Sequence, residues 1–323
     1  MKISIAMATY NGAQYIQEQL QSFINQTRQP DELIITDDCS TDQTEAIVRE
    51  FAKTAPFTVV FHRNEKNLGY GGNFNAALMK TTGDLVFLSD QDDVWFPEKI
   101  EHMVDVAGRN PQALVVMNDA ALTDGELNEV GLTKVGQIRS AGLPMEAFVM
   151  GCCCGIRREL LDFCMPIPEG IKAHDNWIVA FADALNGKVV DGRVLQYYRR
   201  HESNESQFIA NRTTKVTRYH AFFHSVKNLF EGDVRQREKD QIVQQRLMIE
   251  GIRRVQAAAP EKYRSGLQNM LETAEARVNN LSLRTALREK WLLPRIAATL
   301  GLLLRGEYRH TSGLKAILRD LVG

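Results

Sequence analysis

Three short polar segments hold the residues whose types and spacing could do chemistry. In SDQDDVW, Asp90, Asp92 and Asp93 place three carboxylates within four positions. Like charges that close cost energy unless a cation or solvent offsets them. A divalent ion does so, and hard oxygen ligands suit Mg²⁺ or Mn²⁺. Mg²⁺ is usually held by one or two carboxylates plus substrate phosphates, so the DxD spacing suits a nucleotide diphosphate. A solvated acidic turn leading into the next helix, with Pro97 near its first turn, is the alternative for this segment taken alone. In DDCSTDQT, Asp37 and Asp38 could accept hydrogen bonds from a nucleobase N–H or from ribose hydroxyls, while Ser40 or Asp42 could cap the helix that follows. The third segment, Asn67 to Asn73, is glycine-rich and enters a helix. It lacks the GxGxxG and GxxxxGK[ST] spacings, which excludes a dinucleotide fingerprint and a P-loop.

Alternating strands and helices must position these segments. Strands are expected at 3–8, 32–36, 57–62 and 84–89, and helices at 15–25, 41–52 and 73–80. This alternation predicts an α/β fold with a parallel sheet and helices on both faces. Such sheets bind ligands beyond the carboxyl ends of their strands. ATYNG after strand one, DDCSTD after strand two and DQDD after strand four all fall at that edge. Their coincidence says more than any one loop. Further on, 113–118 and the apolar run 147–156 read as strand-like, 175–185 as a helix, and 189–190 and 194–198 as short strands. From about 213 the spacing is helical, first through Val216, Tyr219, Phe222, Phe223, Val226 and Phe230, then from Ile242 to Val255. The boundary between the two regions is expected in the polar stretch 203–214.

Composition excludes several classes. The chain is 44% hydrophobic and 24% charged, which is too apolar for a disordered protein. No run approaches the ~18–20 apolar residues of a spanning helix. The N-terminus reads as a strand rather than a signal peptide. Cys39, Cys152, Cys153, Cys154 and Cys164 are odd in number and show no CxxC spacing, which points to neither a disulfide framework nor a zinc site. They read as small buried residues in a reducing cytoplasm, with a reactive thiol as the alternative. The net charge of −1 conceals a split. Residues 1–200 hold 18 Lys+Arg against 27 Asp+Glu, or −9, and residues 201–323 hold 21 against 13, or +8.

Together the segments ATYNG (8–12), DDCSTDQT (37–44), NLGYGGNFNAAL (67–78), SDQDDVWFPEK (89–99), GCCCGIRRELL (151–161), HDNW (174–177) and YRRHESN (198–204) resemble glycosyltransferase family 2. The resemblance covers 1–205 and is closest to the branch that builds bacterial surface polysaccharides and includes rhamnosyltransferases. It implies a GT-A catalytic domain over 1–205, with a mainly parallel mixed sheet, and a helical region over 206–323. It implies inverting transfer from a nucleotide-diphosphate sugar, with dTDP-rhamnose or a UDP-sugar as the donor. By the same likeness Thr9 and Tyr10 line the nucleotide pocket, Asp38 with Asp37 in support binds the base, and Asp90 and Asp92 form the DxD. Asp92 is then the nearer ligand of Mg²⁺ or Mn²⁺, and His201 lies near the diphosphate or metal. Asn11, Asn67, Gly69, Asn73 and Gln91 are assigned to the donor-binding surface on the same basis. Asp175 falls at the catalytic base, where it would take the proton of the acceptor hydroxyl; a helix N-cap is its alternative role. His201, Arg199 or Arg200 would stabilise the leaving diphosphate. Two departures stand out. Cys39 occupies a position where the family often has glycine, so the turn there is expected to differ, and His174 replaces the commoner glutamate.

Between Arg284 and Arg319 eight basic residues face two acidic ones and interleave with Trp291 and several leucines. Such a segment suits the interface of the cytoplasmic membrane, where a glycan or lipid-linked acceptor would be met. A helical core or a homodimer contact with a solvated basic face is the alternative. Nucleic acid is not expected, since no recognition fold accompanies the charge. The competing function is a non-catalytic nucleotide-sugar-binding subunit of a polysaccharide assembly, which would keep the acidic loops without needing Asp175.

Overall fold

The computed structural model describes residues 1–171, 173–201, 208–230, 234–288, 291–306, 308, 316–317 and 320–321. The chain divides into two compact units, Met1–Arg218 and Tyr219–Gly323. Within the expected boundary stretch 203–214, and within YRRHESN, residues 202–207 lie outside the described set.

In the first unit the short β-branched runs form strands β1 (Ile3–Thr9), β2 (Glu32–Asp37), β3 (Thr58–Arg63) and β4 (Leu85–Ser89). They pair in parallel in the order β3-β2-β1-β4, so the sheet reverses direction of growth at β1. The connecting helices are α1 (Ile16–Ile24), α2 (Thr44–Ala52) and α3 (Gly69–Leu78). β5 (Val94–Trp95) and α4 (Lys99–Arg109) follow the acidic loop. Then come β6 (Val115–Thr123), β7 (Glu129–Thr133), α5 (Lys134–Ser140), β8 (Cys154–Arg157), α6 (Arg158–Cys164), α7 (His174–Ala184) and β9 (Lys188–Arg199).

The sheet is mixed. β8 lies between β4 and β6, antiparallel to both, while β6 and β9 are parallel. β5 closes one edge against β9, and β7 pairs with β6. Alternating residues of the central strands bury both faces. Ile5, Met7, Leu33, Ile35 and Phe87 pack with Leu20 and Phe23 of α1 and with Ile100 and Met103 of α4. Ala6, Ile34, Val86 and Leu88 are buried on the other face, where α3 packs on β1 and β2. Each fully buried Leu, Ile or Phe contributes roughly 1.5–3 kcal/mol.

Several elements depart from the sequence reading. The expected strands at 189–190 and 194–198 are one continuous β9. The apolar run 147–156 is strand only from Cys154; Met145–Ala147 and Gly151–Cys153 are single helical turns, which lets three adjacent cysteines all be buried. α3 starts at Gly69, four residues before the expected start. The Asp38 carboxylate explains this, because it accepts the N–H groups of Leu68 and Gly69 that a helix start leaves unpaired.

The second unit is helical: α8 (Arg218–Phe230, opening at the division), α9 (Val234–Ala258), α10 (Arg264–Arg288) and α11 (Leu292–Leu304). Pro260 separates α9 from α10, which pair antiparallel. Arg253 meets Glu275 at 2.7 Å, and Gln256 meets Gln268 at 2.9 Å. The aromatics at the start of α8 are open to solvent. Tyr219 is 78% exposed and Phe223 65%. No helix among the described residues is long and apolar enough to cross a membrane.

Candidate active site

The register of the sheet brings the chemical loops to one edge. Thr9 lies opposite Asp37, Asp37 opposite Arg63, and Met7 opposite Ser89, so β1, β2, β3 and β4 end nearly level. The loop after β1 is then stitched to the loop after β2. Asn11 N–H donates to Ser40 Oγ at 2.8 Å, Gly12 N–H to Thr44 Oγ1 at 2.8 Å and Ala13 N–H to Asp42 at 3.0 Å. Asn11 Oδ1 accepts from Thr41 N–H at 2.8 Å. Asn11 (φ 47°) and Cys39 (φ 66°) both hold left-handed backbone. Cys39 thus keeps a conformation that favours glycine, at a steric cost to its Cβ.

Asp37 has no exposed surface and is saturated from within. It accepts from Thr9 Oγ1 at 2.9 Å and from Ser40 N–H at 2.8 Å, and Arg63 lies 3.5 Å away. Asp38 is 2% exposed and holds Asn64 Nδ2 as well as the α3 start. Asn67 donates to the Asp38 carbonyl, and Asn73 donates to the Thr9 carbonyl at 3.0 Å. Asp37, Asp38, Asn67 and Asn73 therefore build the loops. Gly69 supplies a φ of +72° at the helix entry. Tyr10 is 51% exposed, which leaves an aromatic face open at the edge. Gln91 fixes it, since its carboxamide accepts from Tyr10 N–H at 2.9 Å and donates to the Tyr10 carbonyl at 3.0 Å. This clip joins the first loop to the acidic loop.

In the acidic loop the three aspartates differ. Asp92 faces His201 Nε2 at 2.8 Å, and His201 stacks on Tyr15 with centroids 4.8 Å apart. Asp90 is half-buried; burial and the neighbouring Asp92 and Asp175 carboxylates push its carboxyl up to about 7. Asp93 is fully buried and accepts from Gln196 Nε2 at 2.9 Å and from Arg199 N–H. The Arg199 guanidinium is committed to Glu18, to the Gly125 carbonyl at 2.7 Å and to the Asp92 carbonyl at 2.8 Å. It is 3% exposed, so it builds the loop and does not reach a diphosphate. Arg200 is half-buried beside Tyr198.

Asp175 lies in the first turn of α7, half-buried, and accepts the Asn176 N–H at 2.8 Å. Ala173 is the N-cap, so Asp175 does not fill the capping role. Gly151 lies between Asp175 and Leu88 of β4, which sets the first turn of α7 beside the strand that leads into the acidic loop. Gly151 makes this approach possible: a Cβ there would lie 2.9 Å from His174 Nε2 and 3.5 Å from the Asp175 Cβ. His174 is buried and stacked on Phe74, and burial holds its imidazole neutral by lowering its pKa. Sequence reasoning missed Gly12, Tyr15, Lys99 and Gln196. ATYNG and FPEK carried the first and third, but nothing in their spacing marked a role.

The model of the family described as glycosyl transferase family 2 matches residues 4–163. The dTDP-rhamnosyl transferase RfbG of Shigella flexneri is 31% identical over 212 residues, spanning 62% of this chain and 73% of that one. The chain belongs to glycosyl transferase family 2. An uncharacterized glycosyltransferase, alr2836, of Nostoc sp. (strain PCC 7120) is 29% identical over 228 residues, 67% of this chain and 70% of its own. Among solved structures, S. aureus TarS 1-349 in complex with UDP superposes with a TM-score of 0.56 at 20% identity, covering 88% of this chain and 90% of that one. The mannosyltransferase PcManGT from Pyrobaculum calidifontis, in complex with GDP-Man and Mn²⁺, gives 0.51 at 18% identity, covering 99% and 86%. These likenesses establish the GT-A fold for this family 2 chain.

The family 2 site offers donors that suit a divalent ion. Oxygens of Asp90 and Asp93 and the Cys152 sulfur lie within 4.8 Å of one another. Burial pushes the Cys152 thiol well above its ordinary pKa, which keeps it protonated, and a soft donor is a poor match for Mg²⁺. Both oxygens of Asp93 already accept protein N–H groups. Asp92 and His201, 2.8 Å apart, offer a hard oxygen and an imidazole, while Asp90 groups with Asp93 and Cys152.

Proposed function

We propose that this family 2 nucleotide-sugar transferase moves a sugar with inversion from dTDP-rhamnose or a UDP-sugar to a glycan or lipid-linked acceptor of bacterial surface polysaccharide. The observation that carries this reading is the place of Asp175 beside the end of β4: a Cβ on Gly151 would meet both Asp175 and Leu88, next to the loop that carries Asp90 and Asp92. Identity to the Shigella rhamnosyl transferase supports the dTDP-rhamnose choice.

Asp175 takes the proton of the acceptor hydroxyl as that oxygen attacks the anomeric carbon from the face opposite the leaving group. The exposed Tyr10 ring stacks on the base, with its backbone held by Gln91. The Asp38-capped start of α3 walls the nucleotide side. Asp90, Asp92 and His201 would hold Mg²⁺ or Mn²⁺, which would supply positive charge for the leaving diphosphate. Arg200, at the end of β9, adds to that charge.

The enzyme works in the cytoplasm, docked on the inner face of the membrane through α11. Leu293, Ala297, Leu300 and Leu304 recur at helical spacing and are exposed, Leu304 at 88%, and Trp291 before the helix at 83%. Arg295 and Arg305 flank them. Of the basic segment 284–319, residues 289–290, 307, 309–315 and 318–319 lie outside the described set.

Thermal-shift screening of dTDP- and UDP-sugars with Mg²⁺ or Mn²⁺ tests the donor reading, because a ligand that binds only the native state raises its melting temperature. A metal-dependent shift with one nucleotide sugar, lost in Asp92→Ala, is expected. No shift with any nucleotide sugar refutes it.

A further inference from the structure

Lys99 has no exposed surface. Lysine is almost never fully buried unless paired, because an isolated ammonium is costly to remove from water. Its Nζ donates to the Cys152 carbonyl at 2.7 Å and to Gln196 Oε1, and lies 3.9 Å from the centre of the Trp95 ring. Gln196 passes the polarity on, with Nε2 donating to Asp93 Oδ2 at 2.9 Å. An ammonium can only donate and a carboxylate only accept, so the carboxamide between them has a single orientation. The other Asp93 oxygen accepts Arg199 N–H at 3.3 Å, and Arg199 Nε donates to the Asp92 carbonyl at 2.8 Å.

Asp92 and His201 come from segments 109 positions apart. The strands that join those segments, β5 and β9, pair at Val94–Tyr197 and Trp95–Gln196, with one more backbone hydrogen bond from Phe96 N–H to the Leu195 carbonyl at 2.9 Å. A two-pair ladder is a weak register, so something else must hold the facing side chains in place. We infer that Lys99, Gln196 and Asp93 form a buried positioning relay that fixes Asp92 and His201 as donors to a divalent cation while touching neither ion nor substrate. This deepens the metal-dependent transferase reading and rests on it. Without the ammonium the Gln196 carboxamide can turn over, its hydrogen bond to Asp93 is lost, and the loop that holds Asp92 opposite His201 loosens. A purely packing role for Lys99 predicts no coupling between substitutions at Lys99 and at Asp93.

The test measures Mn²⁺ affinity by electron paramagnetic resonance of free Mn²⁺. It uses the full chain as wild type, Lys99→Met, Asp93→Asn and the double variant, with melting curves to confirm folding. Wild type is expected to bind, and Lys99→Met to bind about 10–100-fold more weakly, the usual loss when a ligand's supporting partner is removed. The double variant is expected to lose no more than Lys99→Met alone, since both changes cut the same relay. Gln196→Glu keeps the lysine paired but sets a second carboxylate against Asp93. It carries the test if Lys99→Met does not fold, and is expected to weaken Mn²⁺ binding similarly. Unchanged affinity in Lys99→Met and Gln196→Glu, or losses that simply add in the double variant, overturn the relay while leaving the transferase reading intact. Failure of wild type to bind Mn²⁺ overturns the metal reading and the relay with it.

Discussion

Alanine at position 12 breaks the clip between the first loop and the acidic loop. Its Cβ would lie 2.2 Å from Oε1 and 2.5 Å from Cδ of Gln91, so the carboxamide must move away. Gln91 then loses its two hydrogen bonds to Tyr10, at 2.9 and 3.0 Å. At roughly 1 kcal/mol net per hydrogen bond the loss is about 2 kcal/mol. Gly12 is not in a left-handed conformation, so alanine adds no backbone strain and recovers roughly 0.5 kcal/mol through the unfolded chain. The net cost is about 1.5 kcal/mol, or roughly 3–6 °C in melting temperature for a unit of this size. Gln91→Ala removes the same two bonds and costs about 2 kcal/mol. Because both changes cut one clip, Gly12→Ala/Gln91→Ala is expected to cost no more than Gln91→Ala alone, a sharp departure from additivity. Donor affinity falls by the same factor in all three variants, because the clip positions the Tyr10 ring. Thermal melts and donor titrations make the measurement. Additive losses, or an alanine at position 12 that costs nothing, refute the reasoning.

Three further outcomes follow from other parts of the molecule. Burial pulls the Lys134 ammonium down to about 8. Its folded pKa therefore lies below the unfolded 10.5, and the penalty is fully present below pH 8 and fades as pH rises towards 10.5. Lys134→Met removes roughly 3 kcal/mol of that penalty and about 1 kcal/mol of hydrogen bond to the Ala210 carbonyl. Melts should show a gain at pH 7 that has nearly vanished at pH 10; an equal gain at both contradicts it. Cys152→Ala should leave Mn²⁺ affinity unchanged in titration, because the thiol is protonated and is not a ligand. Leu293→Ser/Leu304→Ser should lower binding to anionic vesicles by about tenfold or more without moving the melting temperature, because those side chains are exposed. Undiminished sedimentation with vesicles would move α11 from a membrane contact to a protein contact.

The first four strands were legible because each is a short β-branched run ended by polar residues, and their loops announced the edge where the chemistry gathers. β7 and α5 were not, since the segment EVGLTKVGQIRS has neither a clean two-residue nor a sustained helical period. The start of α3 was misplaced because glycines oppose helix by propensity, whereas Asp38, some thirty residues away, satisfies the helix start. The same long-range accounting separates the acidic residues. Composition makes Asp37, Asp38, Asp90, Asp92 and Asp93 alike. Only the fold reveals that Asp37 and Asp93 are saturated by their own chain while Asp92 faces His201. Lys99 after a proline looks like a solvated residue, and only tertiary contacts bury it. Tyr219, Phe222 and Phe223 lie at helical spacing, but period alone does not reveal that they are exposed.

The central claim is that Asp175 is the base of an inverting transfer. Proton NMR of the product formed from dTDP-rhamnose or the UDP-sugar that binds, with wild type and Asp175→Asn, tests it most directly. The account predicts an inverted anomeric centre with wild type. It predicts a turnover loss of about 10²–10⁴-fold in Asp175→Asn with donor affinity unchanged, the usual contribution of a general base. A retained anomeric configuration, or an Asp175→Asn enzyme that turns over like wild type, would contradict it.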